Sequence, residues 1–260
     1  MIFAIISDIH ANIEALDAVL NKCKKLKVEK YICLGDIVGY NASPVECIDK
    51  LRTLNPVIIV KGNHDEYIGG NIPVGEINRF AKRAVLWSIS LLNKDDKKWL
   101  MNLPLKFINA REGFSAVHAT LDSPESWKYL LDVNDSTSSF NYQLTQLCFS
   151  GHTHLPRMFI KENSGQEIRY EIKRVSAWEQ FPPDNGEITF KLEKGEKYLV
   201  NVGSIGQPRD GDIRASFVIY DSKQKLIKRY AVPYDVRLAQ KKILEAGLPI
   251  QLAYRLSYGQ

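Results

Sequence analysis

"MIFAIISDIHANIEALDAVLNKCKKLKVEKYICLGDIVGY", residues 1–40, decides the fold class. Its opening "IFAII" is a short, continuous apolar run of the kind that forms a strand buried on both faces. Ile13, Leu16, Val19, Leu20 and Cys23 then recur at helical spacing, and Asn12 stands where an N-cap belongs. "KYICL" is a second apolar run and ends at Gly35-Asp36. Beyond it, "SPVECIDKLRT" predicts a helix with Ser43 as N-cap, Pro44 in the first turn and Glu46 closing a capping box. "PVIIV" supplies a third strand and runs into "KGNHDEY". Strands alternating with helices in this way predict a parallel sheet covered by helices.

The rest of the chain is read outward from that unit. Residues 77–102 predict a helical middle with Trp87, Leu91 and Trp99 on apolar faces. "KFINA" and "FSAVHAT" read as strands separated by a charged turn, and "TQLCFSGHTH" as a further strand. From about residue 156 the pattern is strand-like, through "KYLVNVGS", "ASFVIYD" and "LIKRYAV". Residues 161–197 are rich in polar and turn residues and predict hairpins. No linker, internal repeat or low-complexity tract divides the chain, so residues 1–260 read as a single domain.

Composition narrows the function classes. Of the 260 residues, 45% are hydrophobic and 25% charged, the ordinary balance of a soluble globular protein. The net charge of +5 is scattered. The run Lys22 to Lys27 carries no interleaved aromatic residues, so it reads as a solvated helix face and no specific nucleic-acid binding is expected. Cys23, Cys33, Cys47 and Cys148 lack CxxC spacing and read as reduced, buried side chains. The N-terminus lacks a basic n-region and meets Asp8 early, and no apolar run has the length of a membrane span; the expectation is a cytoplasmic protein with no membrane partner.

All five histidines, His10, His64, His118, His152 and His154, fall just after an expected buried strand. In open α/β sheets, ligands bind in the crevice beyond the carboxyl ends of the strands. Asp8 precedes His10 by two positions, and His152 precedes His154 by two, which would put each pair on one face of an extended segment. With Asp36 ending the second strand and Asn63 before His64, the set offers oxygen and nitrogen ligands and no sulfur. Such a set suits Mn, Fe, Zn, Ni or Co. Seven ligands exceed the need of one ion but suit two divalent ions that share a carboxylate, about 3.5–4 Å apart. Two dications outweigh Asp8 and Asp36, so the site would be positive and would attract a phosphoester.

The motifs "DIH", "GDIVG", "GNHD", "VHAT" and "GHTH" resemble, in order, those of the calcineurin-like metallophosphoesterases. "GDIVGYNASPVECIDKLR", "NVGSIGQPRDGD", "VPYDV" and "AGLPIQLAYRL" look like the bacterial branch related to diadenosine tetraphosphatases. Two positions depart from the usual pattern: "NVGS" has valine where proline is usual, and "HAT" replaces "HGS" or "HAS". The resemblance implies an α/β fold of two packed mixed β-sheets flanked by α-helices. It also implies one metal on Asp8, His10, Asp36 and His154, and a second on Asp36, Asn63, His118 and His152. His64 is left beside the phosphate, as general acid or transition-state stabiliser.

Arg209, in "GQPRDGD", reads either as a contact to substrate or as an ion-pair partner of Asp210 or Asp212. Asp65 either orients His64 or caps the local turn. The expected substrate is a phosphorylated small molecule or nucleotide, with a dinucleoside polyphosphate or phosphodiester preferred. A general phosphodiesterase or protein phosphatase is the runner-up. A metal-free binding scaffold of the same fold is disfavoured because every ligand position is filled.

Overall fold

Strand β1 (Ile2–Ile6) is buried on both sides from Phe3 onward, and its alternation divides the core. Phe3 and Ile5 face a second sheet, whereas Ala4 and Ile6 face helices. The computed structural model describes residues 1–54, 56–70, 77–163, 170–184 and 186–260. After β1 come α1 (Ile13–Lys25), β2 (Lys30–Cys33), α2 (Pro44–Thr53), β3 (Ile58–Ile59), α3 (Asn63–Gly70), α4 (Arg79–Leu91) and α5 (Lys94–Met101). The middle of the chain holds β4 (Lys106–Asn109), β5 (Phe114–Val117), α6 (Val133–Tyr142), β6 (Leu147–Ser150), β7 (Arg157–Asn163) and β8 (Tyr170–Arg174). The last third holds β9 (Ile188–Lys191), β10 (Lys197–Asn201), β11 (Ala215–Asp221), β12 (Leu226–Val232), α7 (Val236–Glu245) and α8 (Ile250–Leu256).

One sheet has the order β3-β2-β1-β11-β12-β9 and the other β4-β5-β6-β10-β7-β8. Both are mixed. β1, β2 and β3 run parallel, as do β5, β6 and β10, and the flanking strands are antiparallel. Phe3, Ile5, Ile32, Val218 and Tyr220 of the first sheet pack on Phe114, Phe149, Tyr198 and Val200 of the second. Helix α1 covers the outer face of the first sheet with Leu16, Val19 and Cys23, and α6 covers the second with Phe140. The expected architecture of two packed mixed sheets flanked by helices is therefore observed. The parallel cores also carry the carboxyl ends of β1, β2, β5 and β6 to one edge of the sandwich.

Local differences have local causes. Asn12 caps α1 as expected, its side chain accepting from the Ala15 amide. Ser43 occupies the N-cap of α2 without a side-chain hydrogen bond, so the expected capping box is not made. The helical middle is broken at Leu92-Asn93, where Asn93 accepts from the amides of Asp95 and Asp96 and starts α5. Leu91, expected on an apolar face, is 48% exposed because α4 ends there. A hairpin, β7–β8, occupies the start of the 161–197 stretch; residues 164–169 and 185 lie outside the described residues. Helices α6, α7 and α8 were not anticipated. Asp132 with Asp135, and Asp235, cap the first two of these and were the available sequence signals. All four cysteines are free and buried. Among the described residues, no helix is long and apolar enough to cross a membrane.

Candidate metal centre and substrate cavity

Asn63 opens α3, and the other expected ligands sit where a buried strand gives way to a loop, but for most of them the backbone there is not extended. Asp8, His10, Asp36, His152 and His154 all have φ between 48° and 69°, the left-handed region. Aspartate and histidine enter that region more readily than most residues, and such strain is typical of functional sites. The extended-segment premise of the i, i+2 spacing therefore fails, although Asp8 and His10 still fall in one ligand group. His152 and His154 are near neighbours in sequence, yet they serve different ligand groups.

The strained loops are held by one another. The amides of Asp8 and His10 donate to the carbonyls of Gly35 and Asp36, and the Gly151 amide donates to the His118 carbonyl. The segment 201–207 closes the set. Asn201 donates to the Gly151 carbonyl and Thr153 Oγ1, while Ser204 Oγ donates to the Asp8 carbonyl. Gly62 allows the β3–α3 loop to close on Asp36, since a Cβ there would stand 2.1 Å from Asp36 Oδ1. Asn201, Ser204 and Gln207 were missed as supporting residues, because their partners lie in distant loops.

Two groups of donor atoms result, each with its members within 4.8 Å of one another: Asp8, His10, Asp36 and His154, and then Asp36, His118 and His152. Asp36 belongs to both. Its Oδ2 lies 3.5 Å from His10 Nε2 and 3.4 Å from His118 Nε2. Every histidine in the two groups has one ring nitrogen on a backbone carbonyl: His10 Nδ1 on Val38 (3.1 Å), His118 Nδ1 on Leu34 (2.7 Å), His154 Nδ1 on Gln207 (2.6 Å) and His152 Nε2 on Trp127 (2.8 Å). In a neutral ring such bonds fix which nitrogen carries the proton and leave the other as a lone pair. His10 Nε2 and His154 Nε2 then face each other at 3.0 Å with no proton to share, an arrangement that a cation between them relieves. Asn63 Oδ1 is buried with no hydrogen-bond partner. The donor set fits two divalent ions of the first-row type.

The electrostatics agree. Burial pushes His10 and His154 well below the usual imidazole range, so both are neutral and able to ligate. Burial also raises Asp8, to about 6. Asp36 is buried too, but His118 and His64 outweigh burial and hold its carboxyl well below the usual range. The converse holds for His118, which burial lowers and Asp36 more than restores, to about 9.

A cavity of about 390 Å³ opens over this centre, lined by Asp36, Asn63, His64, His152, His154 and Arg209. Tyr40, Tyr67, Trp127 and Tyr129 contribute aromatic walls. His64 belongs to neither ligand group. Its Nδ1 is buried without a partner, in the space left by the missing Cβ of Gly39 (φ +92°). Asp65 does not orient His64. It accepts the amides of Asp36, Ile37 and Gly62, and so caps the junction of two loops that carry candidate ligands. Arg209 is not the partner of its neighbouring aspartates either: Asp210 pairs with Arg229 and Asp212 with Arg214. Instead its Nη2 donates to Tyr40 Oη and Gln207 Oε1, and its Nε has no partner. The aromatic walls were invisible in the sequence, since Trp127 and Tyr129 lie in an irregular loop with no ligand motif.

Residues 1–225 match the family model of the calcineurin-like phosphoesterase superfamily domain. An uncharacterized protein of Methanocaldococcus jannaschii is 38% identical over 260 residues, covering 99% of this chain and 98% of that one. The crystal structure of a metallophosphoesterase from Sphaerobacter thermophilus is similar with a TM-score of 0.83 at 34% identity, covering 100% of this chain and 99% of that one. A hypothetical protein from Pyrococcus horikoshii shares the fold with a TM-score of 0.77 at 20% identity, over 100% and 98% of the two chains.

Proposed function

The chain belongs to the calcineurin-like phosphoesterase superfamily, and from that premise we propose that it is a dinuclear metal-dependent hydrolase of a nucleotide-like phosphoester or phosphoanhydride. The observation that carries this reading is the shared carboxylate of Asp36, flanked by two ligand groups whose histidines are each fixed by a backbone carbonyl. Asp8, His10, Asp36 and His154 would hold one ion, and Asp36, Asn63, His118 and His152 would hold the other. When bound, two divalent cations lower the pKa of a water and clamp a phosphoryl group for in-line displacement.

The remaining residues act on the substrate. With Nδ1 of His64 buried against Gly39, its Nε2 is the nitrogen left to the cavity. Burial lowers this imidazole to about 4, which favours a neutral Nε2–H donor over an imidazolium at neutral pH. That N–H donates to an oxygen gaining charge in the transition state. The Arg209 guanidinium, which lines the cavity, donates to a non-reacting phosphate oxygen. The cavity, which two bound cations would make positive, and its aromatic walls suit a dinucleoside polyphosphate or nucleotide diester better than a phosphopeptide. The four free, buried cysteines fit a reducing, cytoplasmic setting.

Metal analysis of the purified protein, followed by a substrate panel with Mn²⁺, tests the reading. Two ions per chain and faster turnover of nucleotide diesters or dinucleoside polyphosphates than of phosphopeptides are expected. The reverse preference overturns the substrate class, and a protein that binds no divalent metal overturns the whole reading.

A further inference from the structure

Tyr129 occupies an unusual position. One side of its ring is stacked on the metal-ligand candidate His152, with centroids 4.4 Å apart and planes 20° apart. Yet 51% of the residue is open to solvent. It lines the cavity over the metal centre and also a second cavity, of about 440 Å³, on its other side. Tyr129 is therefore the wall that both cavities share.

The second cavity is polar, with Thr120, Asp122, Asn134 and Ser138 among its lining residues. Thr120 is 3% exposed, and its Oγ1 is buried with no hydrogen-bond partner. A buried hydroxyl left without a partner is costly unless a ligand or water satisfies it. Thr120 is also the residue at which "HAT" departs from the usual motif. The loop that carries Tyr129 is anchored at Trp127, whose carbonyl bonds His152 and whose Nε1 donates to Glu66 Oε2 at 3.0 Å. An aromatic platform held this firmly loses little freedom when a ring packs on it.

We infer that Tyr129 is the stacking platform for the nucleobase of the substrate, with the base passing from the metal cavity over this ring toward the polar second cavity. This rests on the proposed phosphoesterase reading and adds the recognition of the group that does not react. Stacking on a tyrosine face tolerates any base, so the platform selects nucleosides over plain sugar or alkyl phosphates without selecting among bases.

Adenosine 5′-monophosphate and ribose 5-phosphate share phosphate and ribose and differ only in the base. Their dissociation constants for the Mn²⁺-loaded protein, measured by calorimetry, test the inference. The nucleotide should bind about 10-fold or more tighter than the sugar phosphate, in line with the value of one stacked base. Tyr129→Ala should bring the ratio close to one, and Tyr129→Phe should keep it. Using the ratio cancels any general loss at the metal centre caused by losing the His152 stack. Should Tyr129→Ala fail to hold metal, the emission of 1,N6-etheno-AMP in the unmutated protein serves in its place: quenching on binding supports stacking, and binding without quenching overturns it. Ribose 5-phosphate bound as tightly as the nucleotide, or a ratio that survives Tyr129→Ala, overturns the inference while leaving the phosphoesterase reading intact. Failure of both ligands to bind overturns the phosphoesterase reading itself.

Discussion

The backbone amide of His64 donates to Asp36 Oδ1 at 2.8 Å. One carboxylate oxygen of Asp36 is thereby occupied by the histidine that lines the cavity, and Oδ2 faces His10 and His118. The shared carboxylate and the cavity histidine are positioned by a single hydrogen bond, so their roles can be separated only by changing side chains one at a time.

Asp36→Asn removes the charge that both ligand groups share but keeps the hydrogen-bonding shape. Metal content should fall from two ions toward one or none, and activity should fall with it. Elemental analysis beside a rate measurement checks this. Two tightly held ions with full activity in the variant would falsify the shared-ligand assignment.

His64→Ala should leave metal content nearly unchanged while lowering kcat by about 10²–10⁴, the range for a lost proton-transfer or charge-stabilising group. A neutral Nε2–H donor acting on the phosphoryl group predicts a similar loss for alkyl and nitrophenyl leaving groups. A general acid predicts a much smaller loss for nitrophenolate, which needs little protonation. Comparing the two esters separates the roles, and loss of an ion would instead make His64 a ligand.

Metal binding should release protons. In protein stripped by a chelator, His118 titrates at about 9, above its ordinary 6.5, because Asp36 outweighs its burial. The sign follows from linkage: a raised histidine stabilises the stripped protein fully below about pH 6.5, and that contribution is lost as pH rises through about 9. A cation needs the neutral imidazole, so at about pH 7.5 it must displace this proton. Metal affinity should climb with pH up to about 9, and it should fall further below about 6, where Asp8 takes up a proton. Calorimetry in buffers of different ionisation enthalpy reads the released protons directly; affinity independent of pH between about 6 and 9 contradicts the assignment.

Arg229→Ala should destabilise the fold. Arg229 is fully buried in β12 and bonds the carbonyls of Trp178 (2.6 Å) and Gln180 (2.9 Å) as well as Asp210 (3.1 Å). Its removal strands a largely buried carboxylate and two carbonyls, at a cost of about 3–5 kcal/mol. Denaturant unfolding measures this. Because Asp210 adjoins Arg209, the variant should also weaken substrate binding; a change in midpoint below that of an ordinary surface substitution rejects the structural role.

Much of the site was legible in the chain because its signals are local. A buried run followed at once by Asp or His can be read from neighbouring residues, and it located Asp8, His10, Asp36, His118, His152 and His154 at strand ends. The same locality misled where geometry mattered. Spacing of two implied a shared face for His152 and His154, but left-handed backbone turned them to different ligand groups. Spacing likewise offered Asp210 or Asp212 to Arg209, whereas Arg229 and Arg214 claim those carboxylates.

The sequence by itself determined the alternation of strands and helices, the inventory of nitrogen and oxygen ligands, and the family. Only the tertiary structure decided which ring nitrogen each histidine presents, that Asp65 caps a junction, and that Tyr129 divides two cavities. The reason is range. Burial periodicity and ligand type are properties of a few consecutive residues, whereas a tautomer or a cavity wall is set by a partner elsewhere in the chain. His10 and His154, whose facing nitrogens make the case for a cation, are 144 positions apart. No local pattern reports that they meet; the packing of two sheets brings their strand ends together.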